Sequence, residues 1–155
     1  MRLIAIGTRM PGWVDAAFED YTRRLRGPWQ LKFTALAPER RGQGADEAAA
    51  ARRAEGERIL ALLGSRDYVV ALDERGAEPT TLELARWLEE RRMGGQPVTF
   101  IIGGPDGLAA EVLERAQYRW ALSKLTLPHG LVRVVLAEQL YRAATVLAGH
   151  PYHRT

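Results

Sequence analysis

Apolar positions along this chain fall into short unbroken runs separated by stretches of helical spacing. Leu3 to Gly7 is an apolar run that ends in glycine, the pattern of a strand buried on both faces. Pro11 and Gly12 break it. From Trp13 the apolar residues recur at Val14, Ala17, Phe18, Tyr21 and Leu25, with Asp15, Glu19, Asp20 and Arg23 between them, which predicts an amphipathic helix ended by Gly27-Pro28. Gln30 to Ala37 alternates (Leu31, Phe33 and Ala35 against Lys32 and Thr34) and predicts a second strand. Pro38 to Gly44 is polar, basic and glycine-rich and reads as a loop. A helix capped by Asp46 is expected to run to about Leu63, where Gly64 stops it. Tyr68 to Leu72 predicts a third strand closed by Asp73-Glu74-Arg75-Gly76. Thr80 or Thr81 caps a helix through Arg92, and Val98 to Ile102, apolar apart from Thr99, predicts a central fourth strand.

Strands that alternate with helices imply an α/β fold with a mostly parallel sheet flanked by helices. The 155 residues contain no repeat and no linker, so one domain spanning 1–155 is expected. No run is long enough to cross a bilayer, and Arg2 leads straight into a strand rather than a secretory core. With no cysteine there is no disulfide, thiolate metal site or Cys nucleophile, which fits a reducing cytoplasm. The formal charge of +3 and pI near 9.6 permit a polyanionic partner, although an Arg-rich composition also follows from a GC-rich genome.

Two strand ends carry the candidate chemistry, since ligands of open α/β sheets sit outside the carboxyl ends of strands. One is Leu72-Asp73. The other is Ile102-Gly103-Gly104-Pro105-Asp106-Gly107, where glycines admit close backbone approach and the next helix offers free amides. The same turn also reads as a plain strand-to-helix connection. It holds no Gly-x-Gly-x-x-Gly and no Gly-Lys-Ser/Thr, so dinucleotide and nucleoside-triphosphate chemistry are not expected. Ser123 to Pro128 is a looped, largely apolar stretch whose backbone groups need partners, which an adenine ring supplies; a packed connector is the competing reading.

From Leu131 to Leu147 the sequence predicts a helix apolar on nearly every side. In a small protein this implies one face against its own sheet and another against a second copy, hence a homodimer through the C-terminal helix. Glu138 and Arg142, one turn apart, read first as a structural ion pair. His129, His150 and His153 match no zinc spacing, and no metal is expected. The tail His150-Pro151-Tyr152-His153-Arg154 combines an aromatic face, a cation and titratable groups. Such a tail suits stacking on an unpaired base; a frayed terminus is the other reading.

The segments Ile102 to Gly107, Leu125-Thr126-Leu127-Pro128-His129, Glu138-Gln139-Leu140-Tyr141-Arg142 and His150-Pro151-Tyr152-His153 together resemble the bacterial ribosomal RNA large subunit methyltransferase H family, small SPOUT-class enzymes. The resemblance spans the chain, including Ala5-Ile6-Gly7-Thr8, Met10-Pro11 and Arg40-Arg41-Gly42. It departs at Asp106, where a Glu is often found, and at Gly130. It implies a trefoil knot at the carboxyl end, which general connection rules would not suggest. It also implies a homodimer, S-adenosylmethionine as donor, and methylation of N3 of a pseudouridine in 23S rRNA of the ribosome. By position the cofactor would be held by Leu72, Asp73, Gly103, Gly104, Ser123, Lys124, Leu125, Thr126, Leu127 and Pro128. Tyr152, His153 and Arg154 are expected at the target nucleotide, with His129 as an alternative base and Arg142 orienting the target or binding phosphate. The loop around Arg40 and Arg41 is an expected rRNA contact. A knotted methyltransferase acting on tRNA or another rRNA position, and a non-catalytic ribosome-binding factor, are the competing functions.

Overall fold

The structure, a computed structural model, describes residues 1–40 and 44–152 and the backbone of His153. Five strands, β1 (Arg2–Ile6), β2 (Lys32–Leu36), β3 (Tyr68–Ala77), β4 (Val98–Ile102) and β5 (Tyr118–Trp120), form one sheet in the order β2-β1-β4-β3-β5. Every pairing is parallel. The helices are α1 (Gly12–Arg24), α2 (Ala45–Ala61), α3 (Thr81–Met93), α4 (Ala110–Arg115) and α5 (His129–Leu147).

Strand alternation divides the core. Leu3, Ala5, Val70, Phe100 and Ile102 meet α1, α3 and α5 on one face, whereas Ile4, Ile6, Val69 and Ile101 meet Ile59 of α2 and Val112 of α4 on the other. Crossovers that step toward β2 carry α1 and α3, and those that step toward β5 carry α2 and α4. A single crossover hand requires this division, because reversing direction moves the helix to the opposite face. β4 is buried throughout, as its unbroken apolar run predicts. β2 is an edge strand whose Phe33 is exposed.

Four local readings differ from the structure. Asp46 does not cap α2; Gly44 holds that position, and the Glu47 carboxylate accepts its N–H at 3.2 Å. β2 starts at Lys32 because Gly27–Trp29 form a 3-10 turn. The six-residue α4 and three-residue β5 are too short to show a period and had no sequence signal. Most consequential, β3 does not close at Asp73. It leaves register after Leu72 and re-pairs at Ala77, so that Leu72 and Ala77 both face Trp120 across the ladder. Residues 73–76 thus form a bulge that pushes their side chains outward.

Gly76 closes this bulge against β5, where a Cβ would stand 2.6–2.7 Å from the Arg119 and Trp120 backbone. We expect Gly76→Ala to prise the strands apart and destabilise the fold by about 1–3 kcal/mol. Urea unfolding monitored by circular dichroism measures this; an unchanged midpoint would show that the bulge accommodates the methyl.

Candidate active site

The carboxyl ends of β3, β4 and β5 lie side by side and open into a cleft of about 760 Å³. Leu72 and the bulge residues Asp73, Glu74 and Arg75 form one wall. The bulge is shaped locally, since the Asp73 Oδ1 accepts the Arg75 N–H at 3.1 Å.

The turn after β4 forms the floor. The Gly107 N–H donates to the Gly104 carbonyl at 3.0 Å, and Gly107 takes a φ of +80°, a conformation that favours glycine. Gly103 lies so close beneath that a Cβ there would sit 2.6 Å from the Gly107 oxygen. Behind the turn stands α2. Its Arg52 Nη1 donates to the Asp106 carbonyl at 3.3 Å. Its Glu55, 8% exposed, accepts the Glu39 N–H at 2.9 Å with one oxygen. The other oxygen abuts Gly104, 2.8 Å from where a Cβ would be. Sequence reading missed Glu55; the available signal was an acid within the helical stripe Ala51, Glu55, Ile59, all buried here.

The third wall is the bend after β5. Ser123, Leu125, Thr126 and Leu127 line it, and the Ser123 Oγ accepts the Leu125 N–H at 2.9 Å. Of the ten residues expected to hold a cofactor, eight line the cleft; Lys124 and Pro128 flank it on the exposed side of the same bend. The apolar side chains of Leu72, Ile102, Trp120, Leu122 and Val132 complete the lining, beside the carboxylates of Asp73, Glu74 and Asp106 and the cations of Arg52 and Arg75.

His129, the first residue of α5, also lines the cleft. Its Nε2 lies 3.2 Å from Nη2 of Arg133 one turn later. Burial, reinforced by the Arg133 charge, holds its pKa below the ordinary histidine value, against an opposing bond to the Ile6 carbonyl.

Arg142 and Tyr152 sit elsewhere, and neither lines this cleft. Along α5 they belong with Glu138, about 13 Å from His129 at about 1.5 Å per residue. The expected ion pair is present: Arg142 donates to Glu138 Oε1 through Nε at 2.9 Å, with Nη2 at 2.7 Å. The Tyr152 hydroxyl donates to the same oxygen at 3.3 Å, its ring lies 4.7 Å from that of Tyr141, and the Arg142 guanidinium stands 5.0 Å over it. Burial, a hydrogen bond with Tyr21 and the Glu138 charge push the Tyr152 hydroxyl well above the ordinary tyrosine range. Tyr152 is therefore a donor at neutral pH and not a base. Arg40 is exposed. Arg41, Arg154 and the His153 side chain lie outside the described residues. Among the described residues no group of three or more His, Cys, Asp or Glu is placed to hold a metal, and no helix is long and apolar enough to cross a membrane.

A family model described as "Predicted SPOUT methyltransferase" matches residues 1–153. The chain is 51% identical over 154 residues to the ribosomal RNA large subunit methyltransferase H of Thiobacillus denitrificans, covering 99% of this chain and 98% of that one. The chain belongs to the SPOUT methyltransferase family, among the ribosomal RNA large subunit methyltransferases H. A second relative of that name, from Hahella chejuensis, is 48% identical over 154 residues, with 99% of this chain and 98% of the other covered. Among solved structures, the SpoU methyltransferase AviRb from Streptomyces viridochromogenes, in complex with AdoMet, aligns with 93% of this chain and 57% of its own at a TM-score of 0.49 and 13% identity.

The low His129 pKa has a testable sign. The folded protein resists protonating this ring, so the unfolded chain takes up the proton first as pH falls below about 6.5, the usual histidine value. Its contribution to stability is complete above that value and declines as pH falls through the folded pKa. We expect the melting temperature of the wild type to drop more between pH 7.5 and pH 5.5 than that of His129→Gln. Equal drops in the two proteins would contradict the assignment.

Proposed function

We propose that this chain transfers a methyl group from S-adenosylmethionine to N3 of a pseudouridine in 23S rRNA of the large ribosomal subunit. The carrying observation is the convergence of the β3 bulge, the glycine turn after β4 and the bend after β5 on one cleft, in a chain of a methyltransferase family. The related enzymes' name, ribosomal RNA large subunit methyltransferase H, supports the substrate class.

The residues present fit the cofactor. A cleft of about 760 Å³ lies within the usual range of small-molecule sites, about 300–1,000 Å³. Leu72, Ile102, Trp120, Leu122 and Leu127 offer apolar surface to a purine, and the exposed backbone of the turn and bend offers its polar edge donors and acceptors. The Asp73 and Glu74 carboxylates lie in the lining, where a carboxylate can offset the charge of a sulfonium. When bound, S-adenosylmethionine supplies an activated methyl for in-line displacement, a reaction that depends chiefly on alignment.

The chain's own residues bind, orient and handle a proton. Leu72, Asp73, Gly103, Gly104 and the Ser123–Pro128 bend hold the donor. N3 of pseudouridine carries a proton that must leave, or its anion must be stabilised. Arg142 and Arg154 of the tail supply cationic character, His153 acts beside them at the target nucleotide, Tyr152 donates a hydrogen bond, and His129 is the alternative acceptor. Within one chain the Arg142–Tyr152 group stands away from the cleft, so we assign it to the cleft of a second copy. One side of α5 is buried at Leu136, Ala137, Leu140 and Ala143, whereas Leu131, Val134 and Val135 on the other remain half-exposed. That half-exposed apolar side favours a homodimer through α5. The knotted carboxyl end, a cytoplasmic location and contact of the Arg40-Arg41 loop with rRNA belong to the same proposal.

Calorimetry should show S-adenosylmethionine binding to the wild type, and mass spectrometry of 23S rRNA from a deletion strain should show the methyl missing from one pseudouridine. Tyr152→Ala should lower methylation by about 10²-fold or more while leaving cofactor affinity nearly unchanged. Loss of cofactor affinity in that variant would give Tyr152 a structural role. No cofactor binding by the wild type would favour the non-catalytic ribosome-binding factor, and a missing methyl on tRNA instead would redirect the substrate.

A further inference from the structure

Glu55 is a buried acid on α2. Burying a carboxylate is costly, so the contacts that keep this one inside the fold call for a reason. Its Oε1 accepts the Glu39 N–H at 2.9 Å. Nearby on α2, Arg58 donates to the Ala37 carbonyl at 2.9 Å and pairs with the Glu39 carboxylate at 3.2 Å. The chain leaving β2 is therefore fixed to α2. The Oε2 of Glu55 lies against the turn leaving β4, where a Cβ on Gly104 would stand 2.8 Å from it and 3.3 Å from Ile6 Cγ2. Arg52, on the same helix, holds that turn through the Asp106 carbonyl at 3.3 Å. Gly56 lets α2 come this close, since a Cβ there would stand 2.7 Å from the Ala109 Cβ, just past the turn.

Gly104 lines the cleft, yet its φ is not positive, so backbone conformation does not call for glycine there. What calls for it is the carboxylate behind. The end of a glutamate side chain normally moves aside with ease. Here a rotation that takes Oε2 off Gly104 also moves Oε1, which holds the Glu39 N–H. The carboxylate, the turn and the exit of β2 thus fix one another.

We propose that Glu55 is a positioning residue for the cleft: its carboxylate wedges the Gly104 turn against the exit of β2 and so sets the position of the floor that meets the ligand. Glu55 does not itself line the cleft and acts through Gly104. Glutamate at 55 and glycine at 104 work as a pair. Only the identity of the ligand, S-adenosylmethionine, rests on the methyltransferase reading.

Calorimetry with S-adenosylmethionine on the full chain, run as a double-mutant cycle, tests this. Glu55→Ala should weaken binding about tenfold, and Gly104→Ala, which drives the turn off the carboxylate, by at least as much. The double variant should bind no more weakly than Glu55→Ala alone, because the new methyl enters the space that the carboxylate leaves. Glu55→Gln, of the same size and with an acceptor for the Glu39 N–H, should bind within about threefold of the wild type. Ile59→Val, which trims the same buried stripe of α2 within the apolar core, should lower the melting temperature and leave affinity unchanged. Losses that multiply in the double variant, unchanged affinity in either single alanine variant, or a tenfold loss in Ile59→Val would contradict the positioning role. Should Glu55→Ala not fold, Glu55→Asp, which draws the carboxylate back by one methylene, takes its place in the cycle with the same expected pattern. Hydrogen exchange without ligand gives an independent reading. Glu55→Ala or Glu55→Asp should speed exchange over both 37–40 and 103–108, and an effect on only one segment or on neither would overturn the proposal. If the wild type binds no S-adenosylmethionine, the methyltransferase reading fails, and the exchange measured without ligand still decides the role of Glu55.

Discussion

Parallel register is the constraint on which the rest of this molecule depends. Because all five strands point the same way, their carboxyl ends share one edge, and every segment leaving β3, β4 and β5 starts from it. A single crossover hand then sends α2 and α4 behind the sheet and α1 and α3 in front, where α5 packs with them. The cleft is therefore a property of topology first. Side chains refine it: Glu55 and Arg52 brace the glycine turn from behind, and the bulge at residues 73–76 lifts charged groups to the rim.

The α5 helix links this edge to a second chemical group. Its first turn carries His129 at the cleft, and farther along it Glu138 gathers Arg142 and Tyr152. A rigid helix fixes the spacing of the two groups, so residues that one chain holds apart meet only if two chains pack together. The half-exposed apolar side of α5 is compatible with that arrangement. Tyr152, held protonated by burial and its neighbours, suits recognition of a target better than proton abstraction.

Much of this was legible in the sequence because it rests on period and punctuation. The apolar run Val98–Ile102 marked the central strand, Thr80-Thr81 marked a helix start that Thr80 caps by accepting the Glu83 N–H, and the glycines after Ile102 marked the floor of the cleft. What escaped reading depends on partners distant in sequence. Asp73-Glu74-Arg75-Gly76 has the composition of a turn, and only pairing with Trp120 makes it a bulge. Glu55 looks like a surface acid until Gly104 closes over it. Arg133 is a charge within an apolar helix, and its acceptors, Ile6 and Gly7, lie 127 and 126 residues away.

Hydrogen exchange read by mass spectrometry, with and without S-adenosylmethionine, tests the central claim most directly. If the three strand exits form one cofactor cleft, added cofactor will slow exchange together in residues 72–76, 103–108 and 122–129 and leave the opposite end of the sheet, around residues 64–67 and 94–97, unchanged. Protection confined to one of those segments, or centred on the opposite end, would contradict it.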